Sequence, residues 1–227
     1  MIDHSEDLRQ WRLPRGRHGL PRELVERSQR ERLLAAVIKV TVAKGYESTT
    51  VGDILGEAGV GRETFYELFD DKLACTLAAH KILVDDLEEQ VRAAYTSQDC
   101  PWPQRARQAL AATLDWFSSD PVAARFTLIE LSTVGPAFRA TFQSEYARFT
   151  TLLEDGFGPE DPQPQLSGAS GLAVGAMLAR IYEEVVLDRT AALPRLLPDL
   201  TYEMLVPFIG EEAARAEQKR AVSSPSG

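Results

Sequence analysis

Residues 49–73 read Thr49-Thr50-Val51-Gly52-Asp53-Ile54-Leu55-Gly56-Glu57-Ala58-Gly59-Val60-Gly61-Arg62-Glu63-Thr64-Phe65-Tyr66-Glu67-Leu68-Phe69-Asp70-Asp71-Lys72-Leu73. The spacing predicts two short helices around a tight glycine turn. Thr50 can cap the first helix, with Asp53 three positions on completing a capping-box-like pair. Val51, Ile54, Leu55 and Ala58 recur at helical spacing and make one apolar face. Gly59 supplies the positive φ that ends a helix, Val60 plugs the turn, and a second helix opens near Gly61 or Arg62. Phe65, Leu68 and Phe69 form its apolar side, which leaves Arg62, Glu63, Thr64 and Tyr66 pointing elsewhere. Asp70 or Asp71 caps a third helix, with Lys72 in its first turn. A lysine there opposes the helix dipole, and a phosphate docked at that N-terminus reverses the balance. Helix-glycine-helix is the pattern of a DNA-reading helix-turn-helix, but taken alone it favours an ordinary helical hairpin with a solvated lysine.

The surroundings favour the first reading. Upstream, Gln29 to Lys44 is a predicted helix with Leu33, Leu34, Val37, Ile38, Val40 and Thr41 inward, ended by Gly45-Tyr46. The run from Ile38 to Leu73 resembles the DNA-binding domain of TetR-family transcriptional regulators. Gly45-Tyr46, Thr49-Thr50-Val51, Ile54, Ala58-Gly59-Val60, Thr64-Phe65-Tyr66, Phe69 and Lys72-Leu73 carry the resemblance without a gap. It implies that Thr64, Tyr66 and Lys72 position the reading helix on phosphates or base edges and that Thr50 touches the DNA backbone. Departures are visible. Gly61 stands where the family often has a capping Ser, so the reading helix is weakly capped. Leu68 replaces an aromatic or His. Glu63 and Glu67 put acid on a helix that should approach DNA, where Glu63 either accepts from a cytosine amino group or repels phosphate. Arg62 is the candidate for base reading, since a guanidinium bonds guanine bidentately.

The chain has 227 residues and a formal net charge of −9, which at first opposes DNA binding. The distribution matters more than the total. Residues 1–81 hold 13 Lys and Arg against 13 Asp and Glu, while residues 82–227 hold 12 against 21 and so carry the whole deficit. Within 9–32, eight arginines face three glutamates. Such asymmetry suggests a nucleic-acid face at one end. Arg15 and Arg17 lie in a proline- and glycine-punctuated arm, residues 1–20, suited to a minor groove; a basic tail without a partner fits equally well. No apolar run is long enough to span a membrane, the first residues are polar and acidic rather than a signal peptide, and the two cysteines form no ligand cluster. A cytoplasmic protein is expected.

Helices are expected at about 22–44, 51–58, 62–68, 71–95, 104–118, 121–134, 136–156 and 167–189. A last helix starts between Pro194 and Pro198 and ends at Gly210, loosened by Pro207. The fold is therefore all-α: an arm (1–20), a three-helix helix-turn-helix domain (21–72), a larger helical effector-binding and dimerisation domain (73–210), and a polar tail expected to fray (211–227). Small residues including Gly175 and Ala179 on one helix, and Leu197, Leu200, Met204 and Phe208 on the last, could build a four-helix interface with a second copy. The resemblance implies the same, because TetR-like proteins dimerise through their last two long helices; plain core is the alternative. The resemblance also implies a small effector in the larger domain. Trp116, Phe117, Phe126, Phe142, Tyr146 and Met177 could line a largely apolar pocket, with Glu130 and Arg180 among its polar groups; residue by residue, plain core is the favoured place for each aromatic.

Catalytic readings find little. His4, His18 and His80 are scattered, and there is no phosphate-cradling loop, metal spacing or nucleophile triad. No cofactor, metal or catalytic residue is expected. The function expected is a ligand-responsive transcriptional regulator, a repressor binding duplex operator DNA as a homodimer. The alternative, motivated by Glu63, Glu67 and the net acidity, is a helical small-molecule-binding or scaffold protein that has lost DNA recognition.

Overall fold

The computed structural model describes residues 21–97, 100–154 and 168–223, and all regular structure among them is helical. The order is α1 (Arg22–Lys44), α2 (Val51–Ala58), α3 (Arg62–Leu68), α4 (Lys72–Thr96), α5 (Trp102–Ser119), α6 (Pro121–Leu128), a 3-10 turn (Glu130–Thr133), α7 (Pro136–Glu154), α8 (Ala169–Val186), a second 3-10 stretch (Thr190–Leu196) and α9 (Leu197–Ser223). The basic arm with Arg15 and Arg17 lies outside the described residues.

Local chemistry sets most of the boundaries. The Thr50–Asp53 capping box forms in full, each side chain meeting the other residue's backbone N–H. Gly59 closes α2 in the left-handed region, φ 62° and ψ 39°, where a Cβ would be strained. Asp71 caps α4 by accepting from the Ala74 N–H at 2.7 Å. Asp120 caps α6 by accepting from the N–H groups of Val122 and Ala123, and Pro121 opens that helix, where its missing N–H costs nothing. No side chain caps α3 at Gly61.

Two segments depart from expectation. The helix expected over 121–134 stops at Leu128 and continues as a 3-10 turn. The tail from Glu211, expected to fray, is helical to Ser223 and buries Ala214, Glu217 and Ala221. The break in α9 falls at Gly210 (φ 76°, ψ 171°) rather than at Pro207, which stays within the helix. Beyond Gly210 the chain turns back. Gln218 Nε2 donates to Asp199 at 3.1 Å and the Arg215 guanidinium lies 5.0 Å from the Tyr202 ring centroid. A straight helix would separate residues 199 and 218 by about 28 Å, so 197–209 and 211–223 form an antiparallel pair.

One apolar core runs from the N-terminal helices into the larger domain. In the N-terminal part, α1 packs on α2, α3 and α4 around Leu33, Val37, Ile54 and Phe65. The long α4 continues into contact with α5, α6 and α7, and α1 also touches α6. There the Glu130 carboxylate stands 3.8 Å from where a Cβ on Gly45 would lie, so the end of α1 abuts the larger domain.

Candidate nucleic-acid interface and effector chamber

The seven residues of α3 sort by exposure. Phe65 is fully buried, with Tyr66 edge-on at 5.3 Å and Phe69 at 5.8 Å. Arg62, Glu63, Tyr66 and Glu67 face outward, and Thr64 is half-buried. Arg62 makes no hydrogen bond or ion pair among the described residues, so its guanidinium is free to meet a base or phosphate.

Three cations turn inward to brace this surface. Lys72 Nζ donates to the Tyr46 and Thr49 carbonyls at 2.7 and 2.8 Å and lies 4.0 Å from the Tyr46 ring centroid. Partial burial lowers its pKa. Arg32 reaches the Ala58 and Gly59 carbonyls, at 3.2 and 3.4 Å, which end α2 at the turn. The Arg30 guanidinium covers the Phe69 ring at 4.7 Å. An ammonium has three donors, so Lys72, expected on phosphate, commits two of them to tying α4 to the loop before α2. The Thr50 hydroxyl is similarly engaged, donating to Asp53 at 2.7 Å and accepting from the Asp53 N–H.

The remaining cations of this domain are mostly in surface pairs: Arg22 with Glu26, Arg27 with Glu31, Lys39 with Glu57 and Lys44 with Asp53, at 2.5 to 2.9 Å. Exposed pairs contribute only about 0–1 kcal/mol each, so a phosphate can compete for their cations. Helical spacing alone does not reveal the bracing roles of Arg30, Arg32 and Tyr46. A usable signal existed for Arg32, which directly precedes the core pair Leu33-Leu34.

The larger domain encloses two spaces. An inner cavity of about 50 Å³ is lined by Val91, Tyr95, Leu110, Phe149, Met177 and Met204, among others. An outer crevice of about 380 Å³ lies between α6, the first 3-10 turn, α7 and α8, with Phe138, Arg139, Phe142, Leu178 and Tyr182 in its walls. Of the side chains expected to line an effector site, Met177 faces the first and Phe142 the second. The others have different places. Trp116 is buried and its Nε1 donates to Asp86 at 2.6 Å, with Phe117 edge-on to it. Phe126 is fully enclosed core. Glu130 pairs with Arg125 at 3.5 Å, the Tyr146 hydroxyl donates to the Gly171 carbonyl, and Arg180 is exposed and paired with Glu183. Aromatic residues on the inward side of a helix fill the core first, and periodicity cannot tell a core wall from a cavity wall.

The expected dimer residues are also redistributed. Leu197, Leu200, Met204 and Phe208 are all buried within the single chain, Phe208 against Trp102 at 5.3 Å. They form core rather than surface, because α5 and the 211–223 limb of α9 lie against that helix. Gly175 is half-buried beside the Tyr146 hydroxyl, and Ala179 is exposed. The face α8 presents outward carries Leu172, Ala176, Ala179, Tyr182 and Val186. Among the described residues no three His, Cys, Asp or Glu side chains are grouped to hold a metal, and no helix is long and apolar enough to cross a membrane.

Comparison with known proteins agrees with this geometry. Residues 33–79 match the family of bacterial regulatory proteins, tetR family. The HTH-type transcriptional regulator CymR of Pseudomonas putida is 29% identical over 124 residues, covering 55% of this chain and 61% of CymR. The HTH-type transcriptional activator FasR of Mycolicibacterium smegmatis is 35% identical over 102 residues, 44% of each chain. The matches thus span less than two thirds of these relatives' lengths. Among solved structures, the fatty acid degradation regulator FadR from Bacillus halodurans superposes with a TM-score of 0.67 at 18% identity, over 78% of this chain and 94% of that one. The tetR regulator TylP from Streptomyces fradiae gives 0.62 at 19%, over 89% and 97%. The solved structures establish the fold over most of the chain, and the sequence match falls on the helix-turn-helix whose turn, cap and outward face are described above. Residues 33–79 thus match the tetR family of bacterial regulatory proteins, and most of the chain shares the fold of solved tetR regulators.

Proposed function

We propose that the protein is a ligand-responsive transcriptional regulator, a repressor, that binds duplex operator DNA as a homodimer in the cytoplasm. The observation that carries this is the outward face of α3. A free Arg62, flanked by Glu63, Tyr66 and Glu67, stands on a helix braced from behind by Lys72, Arg32 and Arg30. Such pre-organisation suits a helix that must enter a groove without rearranging. Arg62 reads a base edge, Glu63 accepts from a cytosine amino group, and Tyr66, Thr64 and the third Lys72 donor hold the backbone. Thr50 meets the backbone through its position at the α2 N-terminus, since its hydroxyl is engaged. The arm with Arg15 and Arg17 adds groove or phosphate contacts.

Dimerisation is assigned to the exposed row on α8. Leu172, Ala179 and Val186 recur at the seven-residue spacing of a helix-pairing seam with Ala176 between the first two, and Ala176 and Ala179 are small enough for close approach. An effector acts by binding the DNA-incompetent shape more tightly than the competent one. A small-molecule effector is supported by analogy. One structural relative is a FadR from Bacillus subtilis in complex with stearoyl-CoA, and another is a gamma-butyrolactone receptor.

A gel shift with the DNA upstream of the protein's own gene tests the reading. Retardation that falls steeply with salt is expected, together with lower transcription from that promoter in a reconstituted assay. The competing reading, a helical binding or scaffold protein without DNA recognition, draws on Glu63 and Glu67 on the reading face. Absence of retardation at low salt would favour it.

A further inference from the structure

The outer crevice carries one formal charge and no acid. Phe138, Phe142 and Leu178 supply an apolar wall, and Arg139 is its cation. Arg139 forms no ion pair among the described residues. The two aromatic rings are tilted by 45° with centroids 6.1 Å apart, which leaves a broad apolar bed rather than a closed stack. Of the three crevice hydroxyls, that of Tyr182 is an uncharged donor, and the other two are already donors within their own elements. Thr127 donates to the Ala123 carbonyl at 2.9 Å and Ser132 to the Ile129 carbonyl at 2.6 Å. They therefore do not compete with Arg139 as donors. Buried carboxylates of the surrounding layers are engaged elsewhere, Glu130 with Arg125 and Glu145 with His80. At about 380 Å³ the space lies within the range of small-molecule sites, whereas the inner cavity, about 50 Å³, has room for only a few waters.

The geometry points to this crevice as the effector site, taking a largely apolar molecule with a single anionic group, its body on Phe138 and Phe142 and its anion on Arg139. This deepens the ligand-responsive reading above and rests on it. Phe138 makes the site consequential. Besides lining the crevice, its ring meets the His80 ring edge-on at 5.2 Å. His80 Nε2 lies 2.9 Å from Glu145 Oε2, and its buried Nδ1 has no hydrogen-bond partner. His80 belongs to α4, whose first residue is the bracing Lys72. A molecule that moves Phe138 thus moves a side chain packed on the helix that ends at the reading head.

The test uses the full chain without DNA and two fluorescent probes of nearly the same shape: 1-anilinonaphthalene-8-sulfonate, an apolar anion, and N-phenyl-1-naphthylamine, its uncharged counterpart. The sulfonate is expected to saturate at one per chain. Arg139→Gln should weaken the sulfonate roughly tenfold or more, the scale of one charge-assisted hydrogen bond, and leave the neutral probe unchanged. Ser132→Trp, at the exposed rim, should weaken both, and Met177→Phe, in the inner cavity, should weaken neither. Arg139 is exposed, so its variant does not hinge on refolding. Equal behaviour of the two probes in Arg139→Gln, or loss confined to Met177→Phe, overturns the assignment. The outcome is separable from the gel shift. Crevice binding with no retardation of DNA removes the regulator reading and leaves the site. Retardation that a ligand relieves equally in wild type and Arg139→Gln removes the site and leaves the regulator.

Discussion

Lys72 shows how one side chain can serve stability and binding at once. Its family position suggests a phosphate contact, yet two of its three donors already bond the Tyr46 and Thr49 carbonyls. Lys72→Met keeps the apolar stem over Tyr46 and removes the donors. We expect a loss of about 1–3 kcal/mol from two carbonyls deprived of a charged donor, measured by urea unfolding. We also expect weaker operator binding across sequences, with the salt slope reduced by about one. A stability loss with an unchanged salt slope would confine Lys72 to bracing. Asp53 is a second case. The Lys44 ammonium, then the Thr50 hydroxyl and N–H, hold its carboxyl well below the usual carboxylate range. The folded pKa is depressed, so its contribution is complete above the unfolded value of about 3.9 and is lost as pH falls below it. Asp53→Asn should therefore flatten the acid limb of the stability curve, and an unaltered acid limb would show that the capping box makes no net contribution. Cys75 is fully buried and burial pushes its thiol up to about 12. With a thiol-specific disulfide reagent at pH 8, only the partly exposed Cys100 should react in the native protein, and Cys75 should react only on unfolding.

At the scale of elements, legibility in the sequence follows how local the cause is. α2 and α3 lie where the residues predict them, because Thr50, Asp53, Gly59 and the Phe65–Phe69 spacing act within a turn or two. The same local reading succeeded for α6 at its start, where Asp120 and Pro121 stand side by side, and failed at its end, where the chain tightens into a 3-10 turn before Gly135. It failed more fully after Gly210. Residues 211–223 are mostly polar, and nothing within them reveals that Glu217 reaches Arg107 on α5 at 3.3 Å with both side chains nearly buried. A contact between residues so distant in sequence is invisible to periodicity, and so was the burial of Leu200, Met204 and Phe208 that this packing helps create. The candidate effector site was least legible for the same reason: inward-facing aromatics look alike whether a core or a cavity lies beyond them. Two substitutions test the fold-back. Gly210 has φ 76° and ψ 171°, a region almost confined to glycine, so Gly210→Ala should cost about 1–3 kcal/mol. Glu217→Ala leaves Arg107 in a largely buried place without its carboxylate, on the order of 3–5 kcal/mol, while Glu217→Gln keeps hydrogen bonding and should cost less. Thermal melts that leave both positions unchanged would mean that the limb does not dock in solution.

At the scale of the whole molecule, charge and symmetry bear on each other. The first 81 residues are electrically balanced and the remaining 146 carry the full −9. One reading head, with most of its cations in pairs and two glutamates on its face, has little electrostatic affinity to offer. Two heads on a two-fold axis change this, because the second binds at an effective concentration set by the first, a gain of roughly 10²–10⁴ without any new contact. The axis must then place the heads in successive major grooves, about 34 Å apart. The exposed row proposed to supply that axis lies on α8, where Leu172 is 69% exposed and Val186 44% exposed, whereas Leu197 and Leu200 of α9 are buried within the chain. Leu172→Glu combined with Ala176→Glu places four like charges across a two-fold seam and removes no core contact. Sedimentation should report a dimer for the wild type and a monomer for the double variant, with the helical circular dichroism of both the same. The monomer should bind a two-half-site operator at least roughly 100-fold more weakly, yet bind an isolated half-site as well as the wild type does. A double variant that remains dimeric would move the axis off α8 and back toward the outer edge of α9, where Tyr202, Val206 and Ile209 are only partly covered.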